Sequence, residues 1–267
     1  LHLPHNAFKA ALKQAQPRYG IWAGMCTPYT AEILAGLGYD WVLLDGEHAP
    51  NTVPTLLGQL QAMAAYGSQP VVRPVTGDPV LIKQLLDVGA QTLMVPMVET
   101  AEQAAALVQA MRYPPHGIRG VGGGLTRATR WDAVPDYIRN AHQELCLIVQ
   151  IESRLGVQNA AAIAAVEGVD AVFIGPADLS TGLGHAGDAS QPEVQDAIRQ
   201  AIDATRAQGK ACGILAPREE DARRYLDWGC QFVAVGIDIS LLRQAAQANL
   251  ARYRDDAGAS KAPGGVY

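Results

Sequence analysis

The chain has 267 residues, 49% of them hydrophobic and 18% charged, with a formal net charge of −5. That length suits one large α/β domain or two small ones, and the acidic balance speaks against a basic face for nucleic acid. No apolar stretch approaches the roughly 18 residues of a membrane span, and Leu1 to Asn6 lacks a charged segment followed by an apolar core, so neither a span nor a secretory leader is expected.

Taken in chain order, eight apolar runs read as strands, most of them followed by a helical stretch. Gly20 to Met25 precedes a helix from about Pro28 to Leu37. Trp41 to Leu44 precedes Val53 to Ala65, and Pro70 to Arg73 precedes Pro79 to Val88, where Pro79 suits a first helical turn. Thr92 to Val95 leads to Ala101 to Met111, and Leu145 to Ile151 leads to Gly156 to Val166. Ala171 to Ile174 is the sixth strand; Glu193 to Gln208 is a long helix before the seventh, Ala211 to Leu215; Phe232 to Val235 precedes Ser240 to Arg254. Continuous apolar runs of this kind mark strands buried on both faces, hence a parallel sheet. Eightfold alternation without a linker predicts a single (β/α)8 TIM barrel over residues 1–267, with an open doubly wound sheet as the competitor.

Two segments depart from the repeat. Residues 112–144 form a long excursion containing Gly117-Ile118-Arg119-Gly120-Val121-Gly122-Gly123-Gly124. Such a loop suits a lid or partner contact; its glycines lack the spacing and following helix of a phosphate cradle. The tail, Asp255 to Tyr267, is rich in Gly, Ala and Pro and is expected to dock on its own body or a neighbouring subunit. The four cysteines, Cys26, Cys146, Cys212 and Cys230, include no CxxC pair, which fits a reduced cytoplasmic protein without a cysteine zinc site.

Charged groups at the carboxyl ends of barrel strands share one rim, where catalysis in this fold takes place. Lys9, Lys13, Lys83, Lys210 and Lys261 all fall elsewhere, so a Schiff base has no lysine and carbanion chemistry needs a metal as electron sink. Glu152 and Asp178 follow sequential strands and are the candidate ligands for a hard or borderline ion, Mg²⁺, Mn²⁺ or Co²⁺; the alternative for each is a helix cap. His48 is the one histidine at a strand end, with Asp45 nearby to orient the imidazole or raise its basicity; the alternative is a structural loop histidine. Glu47 is expected to face away, as a cap or salt-bridge residue. Arg73 is placed to clamp a carboxylate and meet developing enolate charge, or else to pair with a neighbouring acid. Gln150 lies one inward step before Glu152 and can bind a carbonyl. Trp22 and Leu215 are candidate pocket walls, and Ala177 a candidate substrate contact beside Asp178.

These residues sit in runs that resemble the HpcH/HpaI aldolase family: Leu44-Asp45-Gly46-Glu47-His48-Ala49-Pro50, Gln69-Pro70-Val71-Val72-Arg73-Pro74, Val95-Pro96-Met97-Val98, Tyr113-Pro114-Pro115, Gly117-Ile118-Arg119-Gly120, Gln150-Ile151-Glu152 and Phe173-Ile174-Gly175-Pro176-Ala177-Asp178-Leu179-Ser180. The likeness runs in order over about residues 7–267. It implies a class II, pyruvate-specific aldolase that needs a divalent ion and no organic cofactor. Glu152 and Asp178 match the family's metal ligands, His48 and Arg73 its histidine and arginine, and Asp45 the acid that assists the histidine. It also implies a hexamer, a trimer of dimers that exchange a carboxy-terminal helix.

The reaction that the resemblance implies cleaves 4-hydroxy-2-oxoheptanedioate to pyruvate and succinate semialdehyde, in aromatic breakdown through homoprotocatechuate. The base is His48 with Asp45, or a water on the ion. Sugar-acid aldolases acting on 2-keto-3-deoxy acids, a silent 2-oxo acid-binding barrel, and lyases of acyl-CoA thioesters are the alternatives; the last would want a basic patch that the sequence does not show.

Overall fold

The apolar runs become strands because hydrogen-bonded neighbours on both sides let their backbone groups be buried. A computed structural model gives the fold and describes residues 1–254; the expected docking of Asp255 to Tyr267 lies outside the described residues. In chain order the elements are α1 (Ala7–Ala11), β1 (Arg18–Ala23), α2 (Pro28–Gly36), β2 (Trp41–Asp45), α3 (Val53–Met63), β3 (Gln69–Arg73) and α4 (Pro79–Asp87). Next come β4 (Thr92–Val95), α5 (Ala101–Met111), a 3-10 turn (Gly123–Leu125), α6 (Tyr137–Glu144), β5 (Cys146–Ile151), α7 (Arg154–Gln158), α8 (Ala160–Ala165) and β6 (Ala171–Ile174). The chain continues through α9 (Pro176–Gly182), α10 (Pro192–Ala207), β7 (Ala211–Leu215), α11 (Glu219–Trp228), β8 (Phe232–Ile237) and α12 (Asp238–Ala251). The strands pair in parallel in sequence order, and β8 returns to β1 to close the barrel. This is the predicted (β/α)8 barrel.

Alternation along each strand separates two cores. Outward residues such as Ile21, Val42, Leu44, Val72 and Ile174 pack under the helices. Inward residues Trp22, Trp41, Leu43, Val71, Met94, Ile148, Phe173 and Phe232 fill the barrel, and Phe8 of α1 closes its amino end against Trp41 and Phe232 at 5.8 and 5.7 Å. Gly20 is what admits the Trp41 indole, because a Cβ there would collide with the ring. The same inward phase carries Trp22, Asp45, Arg73, Gln150 and Leu215 to the carboxyl rim.

Several elements differ from expectation. The stretch expected as one helix from Gly156 to Val166 is two, with Asn159 as both C-cap and N-cap. Helix α11 was not anticipated, because its sequence is mostly charged and it buries only Ala222 and Tyr225. Helix α6 sits inside the long excursion, which rests on a small core of Tyr113, Ala128, Val134, Tyr137 and Ala141. Arg119 anchors that excursion: its side chain is fully buried, donates to Asp87 Oδ1 at 2.7 Å and lies 4.4 Å over the Tyr113 ring. Helix α12 begins at Asp238 and buries only that residue, leaving Ile239, Leu241, Leu242 and Leu250 exposed. No helix among the described residues is long and apolar enough to cross a membrane.

Because the Trp41 ring has no room to retreat, Gly20→Ala should destabilise the barrel by about 1–3 kcal/mol. A urea melt would read this as a lower midpoint at unchanged slope; an unchanged midpoint would mean that the indole yields.

Candidate active site

Asp45 is the last residue of β2, and Arg73 the last of β3, directly across the ladder. The two side chains meet in a two-point fork, Arg73 Nε donating to Asp45 Oδ1 at 2.9 Å and Nη2 to Oδ2 at 2.7 Å, with both groups about 5% exposed. Trp22 Nε1 donates to Asp45 Oδ2 at 3.2 Å, and its ring lies 4.9 Å from the guanidinium carbon. Burial by itself pushes the Asp45 carboxyl up. The bonds and charge of Arg73, with the Glu47 N–H and the Trp22 indole, outweigh it and leave the pKa lowered.

The chain then turns back over this pair. The N–H groups of Glu47 and His48 both point to Asp45 Oδ1, at 2.9 and 3.4 Å. Asp45 therefore meets His48 through the backbone N–H, and among the described residues its carboxylate makes no hydrogen bond to the imidazole. The turn also brings Glu47 inward, against the expectation that it faces away: Oε2 lies 2.7 Å from Arg73 Nη1 and 3.9 Å from His48 Nε2. The guanidinium N–H is not aligned with that oxygen, so the contact is an ion pair, and Glu47 Oε2 is buried without a hydrogen bond. His48 is exposed, with 62% of its side chain open to solvent.

Glu152 follows β5 and is buried. Its Oε1 accepts the Met97 N–H at 2.8 Å and its Oε2 accepts Gln150 Nε2 at 2.6 Å. Met97 offers that N–H from a left-handed backbone, φ 55°, costly for a side chain with a Cβ; no sequence signal announces it. Gly175, after β6, makes room for the carboxylate, since a Cβ there would run into it. Ser153, not Glu152, caps α7, and the cap position of α9 is Gly175, with Ala177 and Asp178 in the first turn. Burial pushes Glu152 up to about 7; the Met97 N–H opposes the shift, while Glu47 and Asp178 add to it. Glu47 is raised for the same first reason, burial, with Arg73 and His48 opposing and Asp45 and Asp178 adding.

Glu47, Glu152 and Asp178 thus share one field beside Arg73. Gln150 Oε1 is buried there without a partner, and Leu215 packs at the end of β7 against the inner core. A further acid that sequence reading missed, Asp238, is buried at the start of α12. It accepts the N–H groups of Gly24 and Met25 at 2.9 and 3.1 Å and ties β8 to the end of β1.

Oxygen donors suit a hard cation, and an acid raised toward neutral pH chiefly by burial, with nearby acids adding to it, is stabilised in its charged form by one. Among the described residues no three His, Cys, Asp or Glu side chains form a ready metal cluster, so a cation held by Glu152 and Asp178 would take its remaining ligands from water and substrate. Recesses also open away from the rim: one of about 590 Å³ in the excursion, beside Tyr113, His116, Tyr137 and His142, and one of about 470 Å³ at the amino end, beside Phe8, Arg18 and Tyr66. Neither contains the acids, the guanidinium or the strand-end positions, so the rim is the better candidate.

Acids, a guanidinium and an imidazole at the carboxyl rim of a (β/α)8 barrel are the equipment of an enzyme of this fold. The chain belongs to the HpcH/HpaI aldolase/citrate lyase family, which it matches over residues 18–245. It is 80% identical over 254 residues to a hydroxypyruvate/pyruvate aldolase of Delftia acidovorans, covering 95% of this chain and 94% of that one. It is 59% identical over 253 residues to a 4-hydroxy-2-oxo-heptane-1,7-dioate aldolase of Klebsiella pneumoniae, covering 95% and 96%. A crystal structure of an HpcH/HpaI aldolase/citrate lyase family protein from Burkholderia cenocepacia superimposes with TM-score 0.90 at 40% identity, covering 94% and 100%.

The raised Glu152 pKa has a stability consequence. Between about pH 4.5 and 7 the unfolded chain gives up this proton and the folded one keeps it, so metal-free stability should fall as pH rises through that window. Glu152→Gln should flatten the fall by about 1–3 kcal/mol in denaturant melts at pH 5 and 7.5. Equal slopes in variant and wild type would mean that Glu152 ionises normally.

Proposed function

We propose that this protein is a divalent-metal-dependent aldolase that cleaves 4-hydroxy-2-oxo acids reversibly, with pyruvate or hydroxypyruvate as the carbon nucleophile in the reverse direction. The observation that carries the reading is the rim itself: a buried, two-point-held Arg73 beside the acids Glu152, just after β5, and Asp178, in the first turn of α9 after β6. Glu152 and Asp178 would hold the Mg²⁺, Mn²⁺ or Co²⁺ ion, which when bound supplies a Lewis acid toward the 2-oxo acid.

The chain's own groups do the rest. Arg73 binds the 2-oxo oxygen and meets the charge that grows there as the C3–C4 bond opens; Asp45 and Trp22 keep it aimed. Gln150, Ala177 and Asp178 line the donor, with Trp22 and Leu215 as apolar walls. His48 takes the proton from the 4-hydroxyl. The oxygen's pair becomes the aldehyde C=O, the C3–C4 pair stays on C3 as the enolate, and protonation at C3 releases the 2-oxo acid.

The relative sharing 80% identity favours hydroxypyruvate as a donor beside pyruvate. The relative sharing 59% favours a second reading, cleavage of 4-hydroxy-2-oxoheptanedioate to pyruvate and succinate semialdehyde in aromatic breakdown. The exposed apolar side chains of α12 support assembly into a homo-oligomer through that helix.

A chelator should abolish release of pyruvate from 4-hydroxy-2-oxoheptanedioate, and Mg²⁺, Mn²⁺ or Co²⁺ should restore it. Borohydride with pyruvate should trap nothing, and a covalent pyruvyl-lysine would overturn the mechanism. Arg73→Lys keeps the charge and loses the fork, so turnover should drop about 10²–10³-fold. Near wild-type turnover in that variant would make Arg73 structural.

A further inference from the structure

Among the described residues Asp238 is the one side chain that α12 buries against the barrel, and no step of the reaction uses it. Its hydrogen bonds run to backbone N–H groups. Oδ1 accepts from Gly24 at 2.9 Å and from its neighbour Ile239 at 2.7 Å, and Oδ2 accepts from Met25 at 3.1 Å. Bonds to an ionised carboxylate are roughly twice as strong as neutral ones. The segment so held, residues 24–27, leads from β1 into α2 and follows closely on Trp22, whose indole donates to Asp45. Within it Cys26 adopts a left-handed backbone, φ 58°, and its thiol donates to the Gly24 carbonyl at 3.2 Å. A residue with a Cβ keeps that conformation where its surroundings impose it. Burial pushes the Cys26 thiol up, and Asp238 and Asp45 push it further, so the loop lies within the field of both acids.

The closed order of strands sets β8, β1 and β2 side by side and puts β5 across the barrel from β1. Glu152 and Asp178 follow β5 and β6, and Arg73 ends β3. A 2-oxo acid held there, with its 4-hydroxyl at His48 after β2, sends its remaining carbons toward the β8–β1 side. That is the side on which Asp238 clamps the loop. We propose that Asp238 is a positioning residue for the aldehyde half of the substrate: it fixes residues 24–27 as the wall on which that half is seated, and so sets how well an aldehyde is bound. The proposal rests on the aldolase reading and deepens it by giving the second substrate a place.

Asp238 touches no reacting atom and acts through the N–H groups of Gly24 and Met25. Met25 and Cys26 are the half-buried side chains of the wall. Gly24 lies under Ile239 of α12: a Cβ there would come within 3.0 Å of Ile239 Cδ1 and 3.7 Å of Asp238 Oδ1. The loop is thus fitted to the start of α12 by shape as well as by hydrogen bonds. Among the described residues the Asp238 carboxylate makes no hydrogen bond to Arg73, Gln150 or Glu152. The two halves of the site can therefore be perturbed separately.

Two reactions of the same enzyme separate the roles. Deuterium exchange into the pyruvate methyl group in D₂O needs the donor half alone. Addition of pyruvate to glycolaldehyde or to succinate semialdehyde needs both halves. Each would be followed with saturating Mg²⁺ for wild type, Asp238→Asn and Gly24→Val. Asp238→Asn sets an amide NH₂ against a backbone N–H and opens the clamp. Exchange should stay within about twofold of wild type, while kcat/KM for the aldehyde falls about tenfold, mostly as a higher KM, because misplacing a group by about 1 Å can cost up to about 10²-fold. Gly24→Val leaves Asp238 intact and pushes the loop off Ile239, so it should give the same selective loss; it carries the test alone if Asp238→Asn does not fold. Equal losses of exchange and addition in the folded variants, or unchanged addition in either, would overturn the assignment while the active wild type upheld the aldolase reading. A wild type that adds pyruvate to neither aldehyde would instead sink the aldolase reading, and this one with it.

Discussion

The buried pair of Asp45 and Arg73 is the contact on which the rest of the rim depends. Taking two charges out of water is costly, and their attraction repays it only when the remaining donors and acceptors are also satisfied. Here the satisfaction comes from the site itself. The Trp22 indole and the N–H groups of Glu47 and His48 complete Asp45, and the same bonds fold the loop that carries the imidazole. Removing Arg73 would leave the Asp45 carboxylate buried without its charge partner, a loss of about 3–5 kcal/mol. The pair therefore fixes three things together: the aim of the guanidinium, the inward turn of Glu47 and the outward place of His48.

The other half of the rim is held in the opposite electrostatic state. Arg73 lowers the pKa of Asp45, whereas Glu152 is buried among acids and sits near neutrality. Carboxylates on one rim, at the ends of β2 and β5, thus differ in their readiness to ionise, and environments pushed apart in this way mark candidate functional acids. The Met97 N–H and Gln150 amide fix the Glu152 oxygens, so the carboxylate is oriented even though its charge is disfavoured. A cation would relieve that field and draw on an arrangement already in place.

Much of this is legible in the chain because barrel strands obey a simple alternation. Once Trp41 to Asp45, Gln69 to Arg73 and Cys146 to Ile151 are strands, period two sends Asp45, Arg73 and Gln150 to the same side. The eightfold series of apolar runs determines the fold class. Helix α11 escaped notice because its apolar stripe is thin, and the division between α7 and α8 because Asn159 does not break an alanine-rich pattern.

By itself, then, the sequence determined the barrel, the strand-end positions and the residue types gathered there, since these follow from local periodicity and chain order. Only the tertiary structure decided how the charges at the rim pair. Asp45 was placed beside His48 by proximity along the chain and Glu47 was turned away. In the fold Glu47 turns inward as a salt-bridge residue, and Arg73, 28 residues downstream of Asp45, takes the Asp45 carboxylate with two aligned hydrogen bonds. The pairing of charges depends on distances across the ladder and on which groups lose their water, and neither quantity exists until the strands are side by side.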